Sequence, residues 1–352
     1  MAYQVLARKW RPQKFSEVAG QAHIVRALQN AVSSKKIAHA YLLTGTRGIG
    51  KTTIARLFAK AINCVNFDKA QEPCEVCESC KAMQEDSAID YLEIDGASNN
   101  SVDDIRSLVE NVQYLPTGGK YKIYVIDEVH MLSNAAFNAL LKTLEEPPKH
   151  VVFIFATTDP DKLLKTVLSR CQRLDFKDAS SLELENHLTS IVKEEGIKLE
   201  NEQLLRQLAR QAHGSFRDAL SLLDQVRAVA KDDYIDEEVV LLSLGMMGQK
   251  VILDLIDAIL ACDIKAVTSL FHDHAQGIDP KVLSRQILES FYDIISNGNF
   301  EGDISEIYWI YEVFSKDSSW IVESLLPKES LLLCLQKLAL RDDLLQGKKK
   351  LR

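Results

Sequence analysis

The chain has 352 residues, 46% of them hydrophobic and 26% charged, and a formal net charge of -8. That length supports one large domain with one or two smaller ones, each able to bury a core. The acidic balance excludes a protein that coats nucleic acid through a large basic surface, so any nucleic-acid contact is local. Neither a basic-plus-apolar leader nor an apolar run near eighteen residues stands in the sequence, which predicts a cytoplasmic protein without membrane contact.

In chain order, the first strong signal is "AYLLTGTRGIGKTTIARLFAKAIN", where a short apolar strand meets a glycine-rich turn and then a helix. Ile54, Leu57, Phe58, Ala61 and Ile62 recur at helical spacing, which puts Gly45 to Thr52 on the strand-to-helix turn. The turn spells G-x-x-x-x-G-K-T, a pattern in which backbone N–H groups wrap phosphates, Lys51 reaches the β and γ phosphates and Thr52 holds Mg²⁺. A chance glycine turn is the bland alternative, and the flanking strand and helix discount it.

Directly after that helix, Cys64, Cys74, Cys77 and Cys80 gather four of the seven cysteines. In a reducing compartment, clustered thiols are metal ligands or reactive groups rather than disulfides. Four thiolates suit tetrahedral Zn²⁺, and C-x2-C turns let two sulfurs converge on one ion. A bacterial-type iron–sulfur cluster would want a further cysteine four residues beyond Cys80, where Gln84 stands. Unmetallated thiols are the remaining rival. Four thiolates leave no open coordination position, which predicts a structural ion. Cys171, Cys262 and Cys334 are scattered and read as ordinary buried residues.

"DYLEIDGAS" reads as a strand and turn, and "VDDIRSLVENVQ" as a helix with Ile105, Leu108, Val109 and Val112 on one face. In "KYKIYVIDEVHML" the β-branched run Ile123 to Ile126 ends in Asp127 and Glu128, at the strand end where open α/β sheets bind ligands. Asp127 is expected to support Mg²⁺ and Glu128 to position or activate water; two solvated acids closing a strand is the alternative. "VVFIFATTDP" is a buried strand whose tip offers Thr157 or Thr158 to a γ-phosphate, though a β-branched residue there is usually just a strand end. The alternation predicts a parallel sheet covered on both faces.

"KLLKTVLSRCQRLDF" reads as a helix ending at Ser169, Arg170 and Cys171, where Arg170 either caps the helix or reaches a phosphate on a neighbouring molecule. Past residue 178 the pattern is wholly helical, broken at Gly214, with Arg217 facing either nucleotide or solvent. From about residue 245 a leucine-rich helical region carries no recognisable chemistry, and a face such as "ESLLLCLQKLAL" fits a core or an interface equally.

Taken together, "YQVLARKWRPQKFSEVAGQ", "GTRGIGKT", the cysteine insertion, "IDEVHMLS", "FNALLKTLEEPP", "ATTDP", "LSRC" and "GSFRDALSLLDQ" resemble the gamma/tau family of bacterial DNA polymerase III clamp-loader subunits, which are AAA+ ATPases. The resemblance implies an α/β P-loop AAA+ domain at 1–178 with a zinc-module insertion at 64–80, a helical lid at 179–243 and a helical oligomerisation (collar) domain at 244–352. It implies that Gly45, Thr46, Arg47, Gly48, Ile49, Gly50, Lys51, Thr52 and Thr53 bind ATP, that Thr52 and Asp127 hold Mg²⁺, and that Asp127 and Glu128 form the Walker B pair. Thr158 becomes the first sensor, Arg217 the second, and Arg170 an arginine finger acting on a neighbour's ATP. Arg11, Pro12 and Val18, with Lys9, Trp10 and Gly20, resemble the part that closes over adenine and ribose. The four clustered cysteines fall where the family's zinc ligands lie.

The implied partners are delta and delta-prime subunits, further gamma/tau copies, a sliding clamp and primed DNA, in a hetero-oligomeric ring expected to be a pentamer. No polymerase active site is present. Where some relatives carry basic residues after the "IDGAS" strand, this chain has Asn99, Asn100 and Ser101, so DNA contact would rely more on helix N-termini and backbone N–H groups. A branch-migration helicase is disfavoured by the cysteine insertion and the third helical region. A non-hydrolysing scaffold subunit is disfavoured by intact Lys51, Thr52, Asp127 and Glu128.

Overall fold

A computed structural model describes residues 4–67, 71–85, 87–297 and 304–341. The chain divides into two units, one ending at Asp224 and the other beginning at Gln225.

The first unit is built on five parallel strands: β1 (Ala40–Thr44), β2 (Tyr91–Asp95), β3 (Lys122–Asp127), β4 (Val151–Thr157) and β5 (Gln172–Asp175), in the order β2-β3-β4-β1-β5. The three inner strands are apolar almost throughout because helices cover both faces. Period-two alternation sorts their side chains. Leu42, Tyr124, Ile126, Phe153 and Phe155 pack with Ile105, Leu108 and Val112 of α5 and Phe137, Leu140 and Leu144 of α6 (α5 Val102–Val112, α6 Asn134–Glu145). Tyr41, on the opposite face, meets Phe58 of α3 (Lys51–Asn63) edge-on. Thr44 pairs with Thr157 and Ile126 with Phe155, so the C-terminal tips of β1, β4 and β3 end side by side.

Local chemistry fixes where elements start. The Ser101 hydroxyl accepts the Asp104 N–H while the Asp104 carboxylate accepts the Ser101 N–H, and Ser180 and Glu183 do the same at α8 (Ser181–Glu195). Among the described residues, the other helices of this unit are α1 (Leu6–Lys9), α2 (Ala22–Ser33), α4 (Glu78–Gln84), α7 (Lys165–Leu168) and α9 (Gln203–Gln211), with α10 (Phe216–Val229) beginning here. A short 3₁₀ turn spans Phe15–Glu17. At Gly214 the backbone has φ +83° and a Cβ would lie 2.8 Å from that of Asp178, so only glycine fits the break the sequence predicted.

Buried Asp90 organises the loop before β3. Its carboxylate accepts N–H bonds from Thr117 (2.9 Å), Gly118 (2.6 Å) and Gly119 (2.7 Å). Asn63 accepts those of Lys120 (3.0 Å) and Tyr121 (2.9 Å).

The helix expected to end at Ser169, Arg170 and Cys171 is α7, only four residues long, and Gln172–Asp175 after it is the edge strand β5, whose exposure left no apolar signature to read. The region past residue 178 is not wholly helical, since Lys198–Leu199 and Tyr234–Ile235 are extended.

The second unit is helical: α11 (Glu237–Leu244), α12 (Gln249–Leu260), α13 (Ile264–His274), α14 (Pro280–Asn297), α15 (Ile304–Glu323) and α16 (Pro327–Ala339). Ile252, Ile256, Val267, Ile287, Phe291, Ile310, Phe314 and Leu335 form its core. Arg341, 3% exposed, donates to the carbonyls of Ile259 (2.6 Å), Leu260 (2.8 Å) and Leu338 (3.1 Å) and pairs with Glu306. It thereby adds a donor at two helix C-termini, where the Ile259 carbonyl also accepts the Cys262 N–H (3.1 Å). No single helix among the described residues is long and apolar enough to cross a membrane.

Candidate functional site

The three adjacent strand tips open onto a cleft of ≈1210 Å³. Its floor is the β1–α3 turn, where Gly45, Gly48 and Gly50 have φ of +149°, +78° and +104°, values that side chains resist. A Cβ on Gly48 would lie 2.1 Å from Ser215 Oγ, so the loop and the segment leading into α10 are packed backbone to side chain. The Arg217 N–H donates to the Gly48 carbonyl across the same contact (3.2 Å).

Lys51 is 5% exposed, and its ammonium donates to the carbonyls of Gly45 (2.7 Å) and Thr46 (2.9 Å), folded into the loop it belongs to. Burial lowers its pKa, and the Glu128 and Asp127 carboxylates pull it back up. The Thr52 hydroxyl donates to Asp127 Oδ2 at 2.6 Å, so residues 75 apart in sequence meet at one point. Glu128 has φ +45°, and its Oε2 accepts the Thr158 hydroxyl (3.1 Å) and N–H (3.3 Å). Thr158 lines the cleft, whereas Thr157 is fully buried and engages His130 Nδ1 (3.1 Å) and the Asp159 N–H (3.0 Å).

Arg47, Ile49, Gly50 and Thr53 line the same cleft, as do Arg11, Pro12 and Val18 from the N-terminal segment and Arg217 from α10. Gly45 does not line it, but its carbonyl holds Lys51. Burial above all, with the nearby Arg56 cation, lowers the Arg11 pKa, against the Glu93 carboxylate that raises it. Arg170 lies outside the cleft. It donates to Thr166 O (2.7 Å), closing the short helix, and to Glu145 (2.8 Å), with its side chain 31% exposed.

Sequence reasoning missed three residues here. His130 Nδ1 sits 3.4 Å from Glu128 Oε2, and Arg56 makes a bidentate pair with Glu93 (2.6 and 2.7 Å) behind Arg11. The histidine lay within a motif quoted for its acids, and the Arg56–Glu93 pair, 37 residues apart, left no local signal.

Beyond the cleft, the sulfurs of Cys64, Cys74, Cys77 and Cys80 all lie within 4.8 Å of one another. Sulfurs bound at 2.3 Å around a tetrahedral ion lie about 3.8 Å apart, so the donor set fits zinc. The Cys74 N–H donates to Cys64 Sγ and the Cys77 N–H to Cys74 Sγ, both at 3.4 Å. Burial raises the Cys74 thiol, but the N–H groups of Val76 and Cys77 and the Asn66 amide outweigh it and bring it down to about 6. Residues 68–70 of the insertion lie outside the described residues. Cys334 is buried as expected, whereas Cys171 and Cys262 are half-buried.

A doubly covered parallel sheet with a phosphate loop, a strand-end acid pair and a helical lid defines a P-loop nucleotide-binding protein of the AAA+ class. Solved structures agree on the fold: a Thermotoga maritima RuvB variant superposes with a TM-score of 0.51 at 18% identity, covering 80% of this chain and 91% of that one. Three family models match in succession: DNA polymerase III, delta subunit, over residues 20–180; DNA polymerase III clamp loader subunit, ATPase lid domain, over 183–232; and DNA polymerase III subunits gamma and tau domain III, over 235–303. DNA polymerase III subunit gamma of Buchnera aphidicola (subsp. Acyrthosiphon pisum) is 42% identical over 301 residues, 85% of this chain and 82% of its own length. The tau/gamma subunit of Haemophilus influenzae is 50% identical over 259 residues, 74% of this chain, and the tau subunit of Bacillus subtilis 46% identical over 296 residues, 84% of this chain. The chain belongs to the gamma/tau family of DNA polymerase III subunits. It spans 37% of the Haemophilus protein and 52% of the Bacillus protein.

Proposed function

We propose that this chain is an ATP-hydrolysing motor subunit of a DNA polymerase III clamp loader, loading a sliding clamp onto primed DNA in the cytoplasm. The observation that carries the reading is the 2.6 Å bond from Thr52 to Asp127, because it brings together, from two motifs, the pair that would hold Mg²⁺ beside Lys51. Magnesium, when bound, supplies charge neutralisation at the transferring phosphate. Lys51 exchanges its two loop carbonyls for phosphate oxygens, while the loop from Thr46 to Thr53 presents N–H groups to the same anion and Gly45, whose N–H bonds Thr157 O, shapes it. Glu128 orients or deprotonates the attacking water once Thr158 turns from the carboxylate to the γ-phosphate. Arg217 reaches the nucleotide from the lid side, and Arg11, Pro12 and Val18 enclose adenine and ribose.

Arg170 acts in trans: its position outside the cleft and its partial exposure suit a guanidinium that leaves Glu145 for a neighbouring subunit's ATP. Hydrolysis then depends on assembly, and the isolated chain is a poor ATPase. Zn²⁺ at Cys64, Cys74, Cys77 and Cys80 is structural, since four thiolates fill its coordination. The ATPase domain is assigned to 1–178, the lid to 179–243 and a collar to 244–352, with a pentameric ring of delta, delta-prime and further gamma/tau copies. The exposed Trp320, Leu325, Leu326 and Leu333 of the second unit suit the collar contacts.

The test is steady-state ATP turnover by this chain with its own organism's delta and delta-prime subunits, with and without sliding clamp and primed DNA. Strong stimulation requiring both ligands is expected. Turnover indifferent to the clamp but raised by branched DNA would favour a translocating motor instead.

A further inference from the structure

We infer that the cysteine module acts on nucleotide binding: Glu72 positions the segment that closes over the nucleotide, so the metal state of the four cysteines sets ATP affinity. The inference rests on the cleft being an ATP site and the cysteines a zinc centre, as proposed above.

Glu72 lies two residues before Cys74, yet its carboxylate accepts the Phe15 N–H (2.6 Å) and the Ser16 N–H (2.9 Å). Those amides open the 3₁₀ turn Phe15–Glu17, which offers them no internal acceptor. Both flanks of that turn face the nucleotide: Arg11 and Pro12 before it, its last residue Glu17, and Val18 and Ala19 after it line the cleft. The segment is thus gripped at its middle by the module. The segment is also held by the buried Phe15 ring and by Trp10, whose indole N–H donates to Glu195 of α8 (2.8 Å). Two further contacts run the same way: Lys14 pairs with Glu75 at 3.4 Å, and Gln29 Nε2 donates to the Gln71 carbonyl at 3.0 Å. Glu75 also lies 3.7 Å from Lys60, a buried ammonium without a hydrogen bond on the very helix that begins at Lys51.

The turn carrying Glu72 is held under strain. Gln71 (φ +56°) and Glu75 (φ +60°) bracket it in the left-handed region that non-glycine residues avoid. Such geometry persists only where surroundings over-determine it, and Glu75 sits between Cys74 and Cys77, whose sulfurs converge with those of Cys64 and Cys80. Without an ion to hold the sulfurs together, the turn relaxes, the carboxylate leaves the Phe15 and Ser16 amides, and the nucleotide-covering segment loses its middle support.

The test measures, on the full chain, the Kd of a fluorescent ATP analogue by anisotropy, zinc per chain by atomic emission, and the melting midpoint. Wild type, Glu72→Ala, Glu72→Gln and Lys51→Ala are compared, before and after zinc is stripped with a chelator. Glu72→Ala is expected to retain wild-type zinc and to stay folded at the assay temperature, its melting midpoint only a few degrees lower, yet bind the analogue about tenfold more weakly, as loss of charge-assisted bonds predicts, while Glu72→Gln, which keeps one acceptor oxygen, recovers part of the loss. Stripping zinc should weaken wild type by a similar factor and Glu72→Ala little further, because both changes act through one contact. A zinc-replete Glu72→Ala chain that binds the analogue as tightly as wild type, or losses that simply add, would overturn the inference. Wild type binding no more analogue than Lys51→Ala, or purifying without zinc, would instead sink the underlying assignment of the cleft or the metal centre.

Discussion

Asp90→Asn is the sharpest probe of how the acid pair is supported, because Asp90 holds the loop that feeds β3 and hence Asp127 and Glu128. In the native protein its two carboxylate oxygens take N–H bonds from three consecutive residues, Thr117, Gly118 and Gly119. Asparagine fits the same volume but turns one oxygen into an amide donor; with its remaining oxygen at the Oδ2 position, which accepts all three N–H groups, the new NH₂ faces the Thr117 N–H, and all three bonds lose a charged acceptor. At roughly 1.5–3 kcal/mol for a hydrogen bond to a charged group, the substitution should cost about 2 kcal/mol. For a unit of this size that is a fall in Tm of about 4–8 °C.

The pH dependence sharpens the test. Burial raises the Asp90 pKa, but the N–H groups of Gly118, Thr117 and Gly119, with Lys122, outweigh it and leave it below the ordinary value. A depressed folded pKa contributes stability that is fully present above the unfolded value of about 3.9 and is lost as pH falls through the folded one. The gap between wild type and Asp90→Asn, followed by urea midpoints, should therefore be constant from pH 7 to pH 5 and narrow toward pH 3. No gap at pH 7, or one that is unchanged in acid, would refute this account of the loop.

Arg170→Ala should leave nucleotide Kd unchanged while lowering clamp- and DNA-stimulated turnover by about 10³-fold, the scale of a lost arginine finger; intact stimulated turnover would remove the trans assignment. His130→Ala should lower kcat in the assembled complex about tenfold at unchanged nucleotide Kd, since the imidazole faces Glu128 rather than the phosphate loop; an equal loss in Kd would mean it shapes the pocket instead. Gly48→Ala should weaken nucleotide binding at least tenfold by titration, because the new methyl collides with Ser215 and the backbone at φ +78° resists a side chain; wild-type affinity would mean that the Ser215 contact opens on binding.

The parts legible in the sequence share a property: each functional group sits in a short motif whose local pattern announces it, even where, as for Thr52 and Asp127, its partner is distant. G-x-x-x-x-G-K-T fixes its own loop, the β-branched run ahead of Asp127 and Glu128 fixes their strand end, and two C-x2-C spacings bring Cys74, Cys77 and Cys80 together. What escaped reading was set by distant contacts. His130 acquires meaning only once β4 delivers Thr157 and Glu128 turns into the left-handed region, and Glu72 only once the N-terminal segment folds over α3. Strand β5 escaped because a solvent-exposed edge at Gln172–Asp175 has no apolar period to detect. Between Thr157 and Thr158 the pattern was silent, and side-chain direction separates them: one points into the protein, the other into the cleft.

Arg341 also dictates where the second unit can be cut. A chain ending one residue earlier would strip the carbonyls of Ile259, Leu260 and Leu338 of their shared donor and leave the half-exposed Glu306 carboxylate without its cation. A chain ending just after it keeps all four contacts. For anyone fusing a tag, a reporter or a tether to this unit, that single guanidinium marks the last safe boundary, and the junction belongs on its far side.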